Sequence, residues 1–326
     1  MPKIEWRSIL ALLTAGVVVG TGTPIAAPSL ADAVASASAS IAENLAEPGP
    51  HLGFDTFSYP GDDAMRAWLT ADKPYRWVGY YLSAPCHNDD SWVGKRDTLS
   101  SMGWGMAVIY VGQQTWGRTP GAKVAVTRYV TKRVKQTVKT KSGKRVTRYV
   151  NKRVRVRVLV APRASRGASC STQFVSADRG VKDANDAIAK TAAEGFANGT
   201  TIFLDIERMD YVPKAMRDYY QAWTQQVVQD GRFRPGYYAH SYNATLVYND
   251  VKKVLASAGV STDPPFWIAS TQGFATDKDP SEVGHAFAQV WQGVLDIVET
   301  HNGVRLPIDI NIADMPSPSD APAAGE

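Results

Sequence analysis

The sequence predicts an α/β fold, a TIM-like (β/α) barrel with irregular closing strands and a basic β-hairpin inserted after the third strand. Two observations lead there. From about residue 51 onward, short β-type runs alternate with helical periods, the pattern of a parallel sheet wrapped by helices. The runs can be counted as eight strands, near residues 52–59, 76–83, 105–112, 201–207, 235–240, 266–270, 286–293 and 306–312. A chain of 326 residues, 44% hydrophobic and 21% charged, has room for a barrel of about 250 residues with a leader and a tail, and its composition excludes a disordered or collagen-like protein.

In chain order, residues 1–39 read as a secretory signal peptide. Lys3 and Arg7 precede an apolar run from Ile9 to Val19, then small residues offer A-x-A-like sites at Ala31/Ala33, Ala35/Ala37 and Ala37/Ala39. An apolar run of about a dozen residues is short for a bilayer span, so export to the cell exterior or wall is expected, with an uncleaved anchor as the alternative. Residues 40–50 form a low-complexity linker, 51–314 the barrel and 315–326 a disordered tail. Helices are expected near 62–71, 92–102, 178–194, 213–229 and 243–258, several stopped by a glycine (Gly103, Gly195, Gly231, Gly259). The last three strands have connections too short for much helix.

The net charge of +5 hides two surfaces. Seventeen of the 36 Lys and Arg fall between Arg118 and Arg166, where there is no Asp or Glu; the remaining chain holds 19 basic against 31 acidic residues. This basic insertion, residues 118–168, repeats itself: 127–134 (TRYVTKRV) recurs as 147–154 (TRYVNKRV). Period 2 gives one face rich in Val (Val130, Val134, Val138, Val146, Val150, Val154, Val156, Val158) and another rich in cations and Tyr, with Arg133, Lys135, Arg153, Arg155 and Arg157 as polyanion-binding candidates. It reads as a long hairpin turning at Ser142-Gly143, whose Val face needs cover from the barrel, a partner or a second copy. Outside a cell its partners would be anionic wall polymers or lipid headgroups; no nucleic acid is expected. An edge hairpin whose charges only block aggregation is the alternative.

Two cysteines in an exported chain predict one disulfide, Cys86 to Cys170, against two unrelated free thiols. No ligand spacing surrounds the cysteines or His87, His285 and His301, so neither metal nor other cofactor is expected.

The chemistry is expected on Thr201-Ile-Phe-Leu-Asp-Ile-Glu207, an apolar strand ending in two carboxylates at i and i+2. Strand period puts Asp205 and Glu207 on one face, at the barrel mouth, and close carboxylates push one another toward the protonated form a general acid needs. Asp55 and Asp309 stand at other strand ends, with Trp291 and Gln292 closing the seventh strand. A polar cap or salt-bridged loop entry is the alternative. Tyr59, Tyr81, Tyr110, Tyr238 and Trp291 are possible sugar-stacking platforms that would otherwise be core, and His240 ends a strand toward the cleft.

In order, Gly53-Phe-Asp55, Phe203-Leu-Asp-Ile-Glu207, Pro235-Gly-Tyr-Tyr238, Phe266-Trp-Ile-Ala269, Val290-Trp-Gln292 and Ile308-Asp-Ile-Asn311 resemble the strand signatures of family 25 glycoside hydrolases, secreted lysozymes that cut peptidoglycan. Gly53-Phe-Asp-Thr56, Tyr110-Val-Gly-Gln113 and Val212-Pro-Lys-Ala-Met-Arg-Asp-Tyr-Tyr220 resemble more closely the glycoside-hydrolase-like domain of exported actinobacterial proteins. The resemblance implies a cell-wall glycan partner and Glu207 as general acid. Asp205 would orient the substrate's N-acetyl group, and Asp55 and Asp309 would line the cleft. The matched motifs give weight to Tyr238 and Trp291 as substrate contacts, and Gln292, Tyr110 and His240 are further candidates from their places at strand ends. A chitinase-like pattern fits less well, because Phe203 stands where another acid belongs. A catalytically silent wall-binding module is the second function class, and oligomeric state is not readable.

Overall fold

The computed structural model describes residues 49–321, apart from 71, 73 and 74. The expected signal peptide and nearly all of the expected linker lie outside the described residues.

Eight strands close into a barrel: β1 (His51–Asp55), β2 (Trp77–Tyr81), β3 (Gly105–Tyr110), β6 (Thr201–Ile206), β7 (Arg234–His240), β8 (Phe266–Ala269), β9 (Ala288–His301) and β10 (Val304–Ala313). The two strands between β3 and β6, β4 (Val124–Lys139) and β5 (Arg145–Val160), pair only with each other. Helices α1 (Asp62–Leu69), α2 (Arg96–Met102), α3 (Ala177–Ala193), α4 (Lys214–Asp230) and α5 (Ser241–Ser257) follow β1, β2, β5, β6 and β7. Local signals set their ends. Ser176 accepts a hydrogen bond from the Arg179 N–H to start α3, and Gly231, at φ 75°, stops α4 in a conformation only glycine takes cheaply.

Seven strands run parallel, whereas β10 is antiparallel to both β9 and β1. The cause is local: Asn302 and Gly303, both at positive φ, make a two-residue turn after His301, so the chain doubles straight back. Asp309 therefore lies within an antiparallel strand, opposite Asp55, and does not end the eighth strand as expected.

Residues 315–321 of the expected disordered tail are instead packed in place, the remainder lying outside the described residues. Below the first β3–β6 pair, Val108 with Ile202, the chain after β10 wedges between those strands. Ser319 N donates to Met106 O (3.0 Å), Val108 N to Ser319 Oγ (2.7 Å) and Thr201 N to Ser319 O (2.7 Å), and Ser317 and Ser319 are buried. Without these partners the strand ends would leave unpaired backbone groups in a buried place.

The core fills both the barrel and the layer between barrel and helices. Inside, Trp77, Phe203 and Trp267 stack edge to face, with centroids 5.4 Å (Trp77–Trp267) and 5.8 Å (Phe203–Trp267) apart. Gly53 makes the room, since a Cβ there would sit 2.1 Å from the Trp77 ring. These rings form the dry floor beneath the site.

The hairpin keeps one register from Val124↔Val160 to Lys139↔Arg145, and Gly143, at φ 79°, turns it. At 16 residues per strand it extends about 50 Å. Five Val–Val pairs line one face (124/160, 126/158, 130/154, 134/150, 138/146), separated by pairs carrying Arg128, Lys132, Lys152 and Arg148. None of these valines joins the barrel core, so the barrel does not supply the expected cover. Cys86 and Cys170 form the expected disulfide.

Candidate active site

Alternation along each strand decides which side chains meet at the mouth. On β6, Phe203 and Asp205 point inward, on β7 Tyr238, on β9 Gln292 and on β10 Asn311; Asp205 pairs with Tyr238 in the strand register. Gly79 on β2 lets Asp55 sit where it does, because a Cβ at 79 would lie 2.6 Å from the Asp55 Cβ.

Asp55 is the most tightly held acid. Its Oδ1 accepts from the Tyr81 hydroxyl (2.8 Å), and its Oδ2 from Gln292 Nε2 and Asn311 Nδ2 (2.9 Å each). Both amides are oriented from behind: Gln292 Oε1 accepts from the Tyr238 hydroxyl (2.6 Å), and Asn311 Oδ1 from Trp267 Nε1 (3.0 Å). Gln292 also reaches Asp309 Oδ2 (3.2 Å), whose Oδ1 accepts from the Asp296 N–H (2.7 Å). Asp296 is at φ 52°, where the β9–β10 register shifts, and this bulge aims the N–H into the site. Gln114, on the loop after β3, braces the end of β6 by donating to Asp205 O (2.7 Å) and accepting from Glu207 N (3.2 Å).

Electrostatic coupling links these acids in part, Asp205 feeling Glu207 and Asp55, and Asp309 feeling Asp55 and Asp296. Burial raises the Asp205 carboxyl well above its usual range, reinforced by Glu207 and Asp55, and its Oδ1 is buried without a hydrogen-bond partner. Burial raises Glu207 also, offset by the Arg208 N–H. Asp309 is lifted to about 7 by burial and by the Asp55 charge. Asp55 is raised by burial against the opposing pull of its three donors. The Tyr238 hydroxyl is raised by burial first and then by the charges of Asp205, Asp55, Glu207 and Asp309. Asp205 and Asp55 are nearly enclosed, whereas Glu207 is half-buried and reaches solvent. Burial thus shifts the solvent-reaching Glu207 toward its protonated form, the direction needed for protonating a leaving group.

Gln292 and Tyr238 thus stand beside the acids. Other expected contacts lie elsewhere. Tyr110 has the opposite strand parity to Ile109 and donates to Asp186 Oδ2 (2.8 Å) on α3, in the helix layer. Trp291 has the opposite parity to Gln292 and is wholly buried, its Nε1 on Ser270 O (2.7 Å) and its ring against Phe274. Neither offers a face to a sugar. Tyr59 donates to Asp62 (2.9 Å). The His240 Nδ1 accepts from Tyr242 N (3.1 Å), so this ring starts α5, on the lip of the mouth.

Sequence reasoning missed Gln114, Asn311, Asp296 and the weight of Tyr81. The i, i+2 relation to Asp309 and to Gly79 marks Asn311 and Tyr81; nothing in the sequence marks Gln114. It also missed exposed aromatics at the mouth. Among the described residues these are Phe57, Trp116, Tyr211 and Tyr242, on the segments after β1, β3, β6 and β7, whereas the exposed Tyr129 and Tyr149 lie on the hairpin's cation face as expected.

On the hairpin, Arg133, Lys135, Arg153, Arg155 and Arg157 share one face with Tyr129 and Tyr149. Arg133 stacks over Tyr149 (4.8 Å to the centroid) and Arg153 over Tyr129 (4.6 Å). The sequence repeat thereby becomes a pseudo-twofold axis, the Arg of each copy covering the Tyr of the other. Among the described residues no group of His, Cys, Asp or Glu is placed to hold a metal.

No curated protein matches the chain. Solved structures resemble it at low identity. An uncharacterized B. stearothermophilus protein is 17% identical, with 81% of this chain and 95% of that one covered and a TM-score of 0.48. The spore cortex lytic enzyme SleM of Clostridium perfringens is 13% identical (82% and 68% covered, TM-score 0.44). The Tat-secreted protein Rv2525c of Mycobacterium tuberculosis is 15% identical (81% and 95% covered, TM-score 0.43). A family model, described as the Rv2525c-like, glycoside hydrolase-like domain, matches residues 66–313, and the chain belongs to that family.

Proposed function

We propose that the protein is an exported, retaining glycosidase acting on an N-acetylated cell-wall glycan of the peptidoglycan type. The observation that carries this reading is the raised, solvent-reaching Glu207 beside the enclosed Asp205 in a mouth shared with Asp55 and Asp309. The glycoside hydrolase-like family and the ordered strand motifs support it.

In the first step Glu207 gives its proton to the glycosidic oxygen as the bond from that oxygen to C1 breaks, and the acetamido carbonyl oxygen of the same sugar bonds to C1. With the pair's single proton on Glu207, Asp205 is the ionised member, so it accepts the acetamido N–H and offsets the positive charge of the resulting oxazolinium ring. Water then attacks C1, its proton passes to Glu207, the ring reopens and the anomeric configuration is retained, the substrate-assisted route among glycosidases. Asp55, fixed by three donors, holds Tyr81, Gln292 and Asn311 in place, and the exposed mouth aromatics serve as platforms for sugar faces. The cation and Tyr face of the hairpin anchors the protein to anionic wall polymer.

The test is reducing-end release from purified bacterial cell wall by the wild type and by Glu207→Gln. Release that falls by about 100-fold or more in the variant is expected. Absence of release by both, with wall binding retained, would replace the enzyme by a binding module.

A further inference from the structure

At the root of the hairpin lies a cavity of about 500 Å³ whose walls include Trp116, Arg118, Pro162, Arg163, Cys170 and Gln173. None of its lining residues is a carboxylate. Arg118 and Arg163 are exposed, and neither guanidinium has an ion-pair partner among the described residues. The walls are fixed. Cys170 is tied to Cys86, and Gln173 Oε1 accepts from Gly121 N (2.7 Å).

Trp116 is held in an unusual way. Arg118 N donates to Thr115 O (2.9 Å), closing a turn whose central residues, Trp116 and Gly117, are at φ 48° and 74°. A bulky residue rarely adopts that conformation, and the turn leaves the indole half exposed at 50%. This loop runs beside the end of β6. Two residues before Trp116, Gln114 binds the backbone of Asp205 and Glu207; Thr115 Oγ1 lies 3.0 Å from Met209 Sδ; and a Cβ on Gly117 would lie 3.5 Å from Tyr211 O. The cavity thus adjoins the Glu207 side of the mouth.

We propose that this cavity is a second subsite of the same cleft, taking a sugar ring that bears a negative charge, a carboxylate or a phosphate. The Trp116 indole packs against the ring face, and Arg118 and Arg163 bind the anion, a pairing of flat apolar surface and planar donors suited to an acidic sugar and wasted on a neutral one. The inference rests on the proposed glycan cleft and deepens it by assigning an acidic residue to the chain.

The test measures affinity in the full-length protein carrying Glu207→Gln, so that no probe is consumed. Three probes are used: a neutral β-1,4-linked N-acetylglucosamine hexamer, peptide-free glycan strands with free muramyl carboxylates, and a 6-phosphorylated N-acetylglucosamine oligomer. Adding Arg118→Ala with Arg163→Ala is expected to raise Kd for a charged probe about tenfold or more while changing Kd for the neutral hexamer less than about twofold. Adding Trp116→Ala is expected to weaken charged glycan and hexamer alike. Arginine dependence for the muramyl strands alone assigns a carboxylate, and for the phosphate oligomer alone a phosphate. Equal losses for charged and neutral probes, or no loss for either charged probe, overturn the proposal. Both arginines are exposed, so the variant keeps the fold, and absence of hydrolysis in the wild type would remove the enzyme reading without altering these affinities.

Discussion

Replacing Asp309 by Asn isolates the electrostatic cost of the acid cluster. In the folded protein burial and Asp55 hold the Asp309 carboxyl at about 7, against an ordinary value of 3.8. Between those values the folded state retains a proton that the unfolded chain has released. Asp309 therefore contributes stability that is fully present below about pH 4 and is lost as pH rises through about 7. Each pH unit of that window is worth about 1.4 kcal/mol, which bounds the loss between pH 5 and 8 at about 3 kcal/mol. Asp309 is partly solvent-accessible, so about 1–2 kcal/mol is the expected value. Urea denaturation of wild type and Asp309→Asn at pH 5 and pH 8 gives the quantity as a double difference. The histidines His51, His87, His240 and His285, all lowered by burial, cancel in it. The stability of Asp309→Asn relative to wild type should rise by that amount from pH 5 to 8. A double difference within about 0.3 kcal/mol of zero, or of opposite sign, would refute the reasoning.

Three other outcomes are expected. Trp267→Phe keeps the barrel floor but removes the donor to Asn311 Oδ1, and should cost about 1–3 kcal/mol in urea denaturation. Reducing the Cys86–Cys170 bond, or changing both residues to Ser, opens a loop of 84 residues and should lower stability by about 2–4 kcal/mol, measured by denaturation with and without reductant. Replacing residues 124–160 by a short Gly-Ser link should leave the thermal midpoint within about 2 °C, since the hairpin pairs only with itself, while removing retention on anionic wall material at about 0.15 M salt; unchanged retention would take the anchoring role from the hairpin.

The fold was legible in the sequence because each barrel strand is a short apolar run ended by polar residues, and each helix carries its own start or stop. The five helices and seven of the eight strands lie close to where their periods place them, whereas β9 runs on to His301, well past the expected end at residue 293. What escaped was long-range. The Asn302-Gly303 turn reverses β10, but periodicity carries no direction, so Asp309 was placed at a strand end. The tail after β10 has the composition of a loop, and only the gap between β3 and β6 makes Ser317 and Ser319 structural. In the site, the i, i+2 rule set Asp205 beside Glu207, and the Glu207 charge does act on the Asp205 carboxyl, although Glu207 itself lies one residue past the end of β6. The same rule, applied to Tyr110 and Trp291, would have turned both outward, since Ile109 and Gln292 occupy the inward positions beside them. Gln114 escaped because a loop residue has no period to mark it.

The pseudo-twofold pairing within the hairpin constrains what that element can read. A linear polyanion laid along its face meets Arg over Tyr, then Arg over Tyr, in the same succession from either end. Over those two pairs the surface registers charge density and spacing without a sense of the polymer's head or tail, although beyond them Arg157 opposite Thr127 has only Thr137 opposite Thr147 as its counterpart. The barrel is the reverse, with unlike groups at each strand end. If the hairpin holds an anionic polymer as proposed, discrimination between the two ends of the chain would fall chiefly to the mouth, and the chain could slide along the two Arg–Tyr pairs without losing contact.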